Sequence, residues 1–208
     1  MNRYELLEKL ADGHACETWD AWSHERGCRV IVRIGDVRRE GRLLRRLTHP
    51  NVVRVYEVHR GWIVLETLSG ATLSALPDLA RADAIEMGRQ LCSAIGYLHR
   101  QGWLHLDLKP DNLIADGGRL KLIDFSIAQR PGRIEPGTGT RRWMAPEQEH
   151  GGRVSAATDV WGIAAVLRSV GLDQQVPEDP AERPAVADVL RWLDGLEGSR
   201  PAHPRQAA

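Results

Sequence analysis

Two short apolar runs, Leu113 to Ala115 and Arg119 to Ile123, flank Asp116-Gly117-Gly118, a pattern that predicts a tight β-hairpin. Closing that hairpin brings its open ends together, so Asn112 before the first strand comes near Asp124 after the second. An amide oxygen and a carboxylate placed in this way suit Mg²⁺ (or Mn²⁺), which takes one or two protein oxygens and completes its shell with phosphate oxygens and water. Asp107 and Lys109 lie just upstream on the same loop. A carboxylate and an ammonium beside a metal pair suit the positioning of a hydroxyl and the neutralisation of a phosphoryl group in transfer. Asp107 and Asp124 could instead be structural carboxylates, but their joint spacing with Asn112 argues against that.

Other elements must hold these residues. Tyr4 to Leu10, Thr18 to Trp22, Arg29 to Ile34, Val52 to Val58 and Trp62 to Glu66 read as strands, punctuated by Gly13, Gly27, Pro50 and Gly61. Between the third and fourth, Val37, Glu40, Leu43, Leu44 and Leu47 recur at helical spacing among arginines, giving one apolar stripe and one basic face. After Ser69-Gly70 the pattern turns helical. Helices are expected over Ala84 to Arg100, over Val154 to Val170 with Ser155 as a cap, and over Ala185 to Leu196 behind Pro184. Pro201 to Ala208 reads as a frayed tail.

Composition narrows the class. The 208 residues are 42% hydrophobic and 27% charged, which excludes wholesale disorder and a collagen-like repeat. Lys plus Arg and Asp plus Glu both number 28, so no global field recruits nucleic acid or an anionic membrane, and phosphate recognition must be local. Cys16, Cys28 and Cys92 are odd in number and widely spaced, which argues against a disulfide framework or a zinc site and fits a reducing cytoplasm, with the thiols as core filler. No run approaches a membrane span in length, and the N-terminus does not read as a leader. His49, His99 and His150 read as surface or packing residues.

The motifs carry a specific resemblance. His105-Leu106-Asp107-Leu108-Lys109-Pro110-Asp111-Asn112 resembles the catalytic loop of protein kinases, Asp124-Phe125-Ser126 stands in the place of their D-F-G, and Gly139-Thr140 with Met144-Ala145-Pro146-Glu147 resembles the end of their activation segment. Asp159-Val160-Trp161-Gly162 and Arg183-Pro184 match two further family positions, and the five motifs occur in order. The chain is similar to bacterial serine/threonine kinases of eukaryotic type. That resemblance implies an α+β bilobal fold, with a small antiparallel N-lobe over 1–68, a mainly helical and truncated C-lobe over 69–196, and a tail over 197–208. It implies ATP and Mg²⁺ as cofactors. Asp107 would orient the acceptor hydroxyl, Lys109 would touch the γ-phosphate, and Asn112 with Asp124 would hold metal. Leu10, Gly13, Thr18, Ile31, Arg33, Glu40, Glu66, Leu68 and Ile114 would build the nucleotide site, Leu65 would be its gatekeeper, and Leu44, Val55, His105 and Phe125 would stack between the lobes. Asp159, and Arg183 with Glu147, would be structural.

The chain also departs from the pattern. Leu10 to Cys16 keeps only Gly13 of three loop glycines, Arg33 stands where a lysine is usual, Ile31 replaces a small residue beside adenine, and only six residues separate Arg33 from Glu40. Ser126 replaces a glycine, and Leu106 replaces the arginine that grips a phosphorylated activation segment, which argues against control through Thr138 or Thr140. About a dozen residues lie between Val170 and Arg183, so the helix and loop that commonly dock substrates are missing. Three readings stay open: a weak or atypical protein kinase acting on a protein substrate, a pseudokinase that binds nucleotide or a scaffold partner, and a small-molecule phosphotransferase. Lys109 and the Gly139 to Glu147 segment speak against the third.

Overall fold

A computed structural model of the chain describes residues 2–13 and 16–198. Its first part is a five-stranded antiparallel sheet in the order β1-β2-β3-β5-β4, formed by β1 (Tyr4–Asp12), β2 (Cys16–Ser23), β3 (Cys28–Gly35), β4 (Val55–His59) and β5 (Trp62–Glu66). Side chains alternate across a strand, and β3 uses both faces. Val30 and Val32 are fully buried with Tyr4, Ala21 and Val64 on one side, while Ile31 and Arg33 point to the other, where a cleft opens.

Helix α1 (Arg38–Leu44) has only seven residues, too few to persist alone in water. It is held by burying Glu40, Gly41, Leu43 and Leu44 against the sheet. The approach is close at Gly41, where a Cβ would stand 2.7 Å from Ile63 Cγ2 and 2.8 Å from Val58 Cγ1.

The strand expected over Val52 to Val58 begins only at Val55. Residues 51–53 are drawn instead to the hairpin of β7 (Leu113–Asp116) and β8 (Arg119–Leu122): Leu122 N donates to Asn51 O at 2.8 Å and Val53 N donates to Leu122 O at 2.9 Å. Buried Asn51 also donates to Leu120 O and Gln90, so this connection ties the sheet to the second part by backbone bonds that periodicity does not encode.

The second part is built on α2 (Arg81–Arg100), packed against α4 (Ala156–Ser169) and α5 (Val186–Gly198). Gly88 of α2 admits the contact, because a Cβ there would lie 2.8 Å from Leu167 Cδ2 and 3.1 Å from Leu193 Cδ1. Ser155 caps α4 as expected: its Oγ accepts from Ala157 N while Thr158 Oγ1 accepts from Ser155 N. Residues 170–185 between α4 and α5 form neither helix nor strand, which is where the expected truncation falls. Short pieces complete the chain: β6 (Ala71–Thr72) beside β7, β9 (Gly132–Arg133) paired with β10 (Arg153–Val154), and α3 (Pro146–Glu149). One hydrophobic cluster runs from Leu44 and Ile63 through Phe125 to Leu167 and Leu193, so the two parts share a core. Helix α5 extends to Gly198, while the tail expected over Pro201 to Ala208 lies outside the described residues, as do His14 and Ala15 of the loop between β1 and β2.

Candidate active site

A cleft of about 300 Å³ separates the sheet from the helical part. Its walls include Leu10, Thr18, Ile31, Arg33, Glu66, Leu68, Asn112, Ile114 and Asp124, nine of the residues selected from sequence. The hairpin does what its pattern predicts. Gly117 and Gly118, with φ of 57° and 78°, make the two-residue turn, and Ile123 N donates to Asn112 O at 2.9 Å across the open end. Asn112 and Asp124 therefore share one wall. Asp124 adopts φ 59°, which its short polar side chain tolerates, and accepts from Ser126 N at 3.1 Å. Among the described residues the non-glycine positions at positive φ are Leu106 and Asp124, so Ser126 fits this conformation without the freedom of glycine.

Asp107 lies beyond Asn112, and its carboxylate is saturated. Oδ1 accepts from Thr140 N at 3.0 Å and Thr140 Oγ1 at 2.7 Å, while Oδ2 accepts from Lys109 Nζ at 2.7 Å and Asn112 Nδ2 at 3.0 Å. Lys109 Nζ also donates to Thr140 Oγ1 at 2.7 Å, closing a ring of three side chains. A carboxylate has about four acceptor positions, and all are used. Asn112 Nδ2 donates again to Asp107 O, which leaves Oδ1 of Asn112 directed to other partners.

Buried bonds hold that loop. Asp159 accepts from His105 N at 3.0 Å, Leu106 N at 2.8 Å and His99 Nε2 at 2.8 Å. His99 is thus part of the support and not a packing residue: nothing in its helical periodicity marks a partner sixty positions away. Leu106 sits at φ 69°, a costly backbone for leucine, and the Asp159 carboxylate fixes it there. Buried Gln148 adds a bridge that sequence reading missed. Its Nε2 donates to Leu106 O at 2.8 Å and Thr138 O at 2.9 Å, and its Oε1 accepts from Ala145 N. Gly139, at φ 125°, makes room, since a Cβ would lie 3.0 Å from that Nε2. Glu147 and Arg183 form a bidentate pair at 2.7 and 2.8 Å. Burial opposes the Glu147 charge, but Arg183 holds its carboxyl below the ordinary value. His105 is fully buried, edge-on to Phe125 at 4.9 Å, and burial pushes its pKa down against the pull of Asp159.

On the sheet side, Arg33 Nη1 lies 2.6 Å from Glu40 Oε1 and 3.5 Å from Asp124 Oδ1, and Nη2 donates to Cys16 Sγ at 3.1 Å. Its Nε is buried without a partner. Burial opposes the guanidinium charge, yet Glu40 and Asp124 hold its pKa above the usual range. Burial also pushes the Glu40 carboxyl up and is opposed by Arg33; with a guanidinium at 2.6 Å and Phe125 N donating at 3.1 Å, the ion pair is the state we assign. For Asp124, burial raises and Arg33 lowers, and the net direction is down. The short connection between Arg33 and Glu40 is therefore long enough, because α1 begins at once.

Four selected residues lie off the cleft wall, three of them close by: Glu40 stands behind Arg33, and Asp107 and Lys109 occupy the adjoining loop. Gly13 also does not line the cleft; it donates to Cys16 O at 3.1 Å near the tip of the β1–β2 hairpin. Ala11, Val53, Leu65 and Ile123 also line the cleft. The cysteines divide: Cys92 is core, its thiol pushed up to about 12 by burial, whereas Cys28 is exposed and Cys16 touches Arg33.

A family model described as the protein kinase domain matches residues 24–190. The chain belongs to the protein kinase family. It is 31% identical over 191 residues to CBL-interacting serine/threonine-protein kinase 21 of Arabidopsis thaliana, covering 80% of this chain and 46% of that one. It is 32% identical over 188 residues to serine/threonine-protein kinase RUNKEL of Arabidopsis thaliana, 80% of this chain and 14% of the relative. Against myosin light chain kinase 3 of Homo sapiens it is 31% identical over 164 residues, 71% and 20%. This kinase chain thus spans less than half the length of these curated relatives.

Proposed function

We propose that this chain is an ATP-dependent serine/threonine protein kinase of unusual nucleotide site, transferring the γ-phosphoryl group to a hydroxyl of a protein substrate. The observation that carries the reading is the ring of Asp107, Lys109 and Thr140 beside Asn112 and Asp124, with Arg33 paired to Glu40 across the cleft. Narrower parts of the proposal are a bacterial kinase of eukaryotic type and a cytoplasmic location. The first rests on the motif resemblance, the relatives above being plant and human proteins; the second rests on the thiol pattern. No described helix is long and apolar enough to cross a membrane.

The residues fit a divalent cation with ATP. Asn112 Nδ2 is engaged by Asp107, so its Oδ1 and the Asp124 carboxylate supply the oxygens for Mg²⁺ or Mn²⁺, and no described group of three His, Cys, Asp or Glu competes as a metal cage. Such a cation would neutralise phosphate charge. Ile31, Val53, Leu65 and Ile123 offer an apolar slot for a flat base, with Glu66 and Leu68 on the connecting backbone. Glu66 is steadied by Lys121 at 2.6 Å. Arg33 would place its charge on the phosphates. Thr140 must yield part of its hold on Asp107 before an incoming hydroxyl can donate there, and Asp107 then orients that oxygen and accepts its proton. Lys109 is placed to follow the transferred group.

A nucleotide-binding pseudokinase or scaffold is the second reading, favoured by the unpartnered Arg33 Nε and by Ala11 and Cys16 at the phosphate loop. The pure chain, labelled ATP, Mg²⁺ or Mn²⁺ and a generic protein substrate separate the two. Incorporation abolished by Asp107→Asn supports the kinase; nucleotide-induced thermal stabilisation without incorporation supports the scaffold.

A further inference from the structure

We propose that the arginine-rich flank of α1, together with Trp103, is a docking groove for an acidic segment of a partner protein. Arg38, Arg39, Arg42 and Arg46 line an open groove of about 440 Å³ with Leu43 and Trp103, and Asp36 is its one acidic member. All four arginines are exposed, and none forms an ion pair among the described residues. The inward-facing Glu40 is committed to Arg33 and does not neutralise them.

Folding alone does not favour this arrangement. Arg38 and Arg42 stand four apart on α1, the spacing at which like charges on a helical face destabilise it, and Arg46 follows in the turn just beyond the helix. The chain carries no net charge, so the concentration here is local. Guanidinium forks match carboxylates in bidentate geometry, which sets the chemistry of the occupant. The floor sets a second requirement. Half-buried Trp103, over which Arg130 stacks at 4.6 Å, gives a surface for one large apolar side chain among the acids, while Leu43 beside it belongs to the core. A base could also stack on Trp103, but the chain carries no net charge and so no global field to recruit a nucleic acid. The arginines come from the sheet part and Trp103 from the helical part, so an occupant would bridge the two.

The test is fluorescence anisotropy of a labelled Asp/Glu-rich peptide with one central leucine, titrated with the intact chain without nucleotide at about 0.15 M salt. It is read apart from any phosphoryl transfer, so its failure and that of the kinase reading are distinguishable. Saturable binding is expected, weakened about tenfold by Arg38→Gln with Arg42→Gln and Arg46→Gln, and several-fold when the peptide leucine becomes glycine. These arginines are exposed, and an unchanged melting temperature shows that the variant is folded. Absence of binding, binding indifferent to the three substitutions, or binding indifferent to the leucine and displaced by single-stranded RNA overturns the proposal. So does concentration-dependent self-association lost in the same variant, which would make a second copy the occupant through its acidic run Asp173, Glu178, Asp179 and Glu182.

Discussion

The two walls of the cleft are held in different ways. On the helical side, Asp107 takes four donors, Asp159 three and Gln148 uses both ends of its amide, so the loop is held by several side chains at once. On the sheet side a single guanidinium serves Glu40, Asp124 and Cys16, and one of its nitrogens is unpartnered. The first wall is over-determined and the second depends on one residue. A substitution on the first should therefore register as lost stability, and one on the second as altered nucleotide handling.

The largest effect is expected at Asp159. Asp159→Ala leaves the buried N–H groups of His105 and Leu106 without an acceptor and removes what holds Leu106 at positive φ, a loss of about 3–5 kcal/mol readable by urea unfolding. Gln148→Leu comes next, at about 2–3 kcal/mol, because two carbonyls lose their donor. It should also open residues 126–144 to trypsin at Arg130, Arg133 and Arg141. Full protection of that segment in the variant would refute its part in the over-determined wall.

Arg33→Lys tests the other wall. Lysine reaches Glu40 but cannot also fork to Cys16, so turnover at saturating ATP should fall about tenfold while the melting temperature barely moves. A clear rise in turnover would mean that the arginine is merely the wrong shape, and the comparison of the walls would have to be redrawn.

The smallest effect concerns pH. Glu147 has a lowered pKa in the fold, so its unfolded form binds protons first on acidification. Its contribution is complete above the ordinary carboxylate range and drains as pH falls through about 4.5 towards the folded value. The urea midpoint should drop between neutral pH and about pH 4, and Glu147→Gln should flatten part of that slope.

Local pattern was enough for much of this. The hairpin that joins Asn112 to Asp124, the Ser155 cap, the alternation in β3 and the spacing of Asp107, Lys109 and Asn112 all follow from periods of two or about four and from turn glycines, which are short-range properties of a chain. The kinase motifs were equally legible because each is a contiguous stretch. What the sequence could not decide was every bond between distant stretches. Val52 is β-branched and reads as strand, yet Asn51 and Val53 answer to Leu122; His99 reads as helix surface, yet it meets Asp159; Gln148 reads as one more polar residue, yet it joins three segments. Whether Arg33 could reach Glu40 depended on where α1 began and how near Gly41 let it lie to the sheet. Those are matters of packing, in which the partner is chosen by what else is buried at the same place, and only the folded chain brings the candidates together.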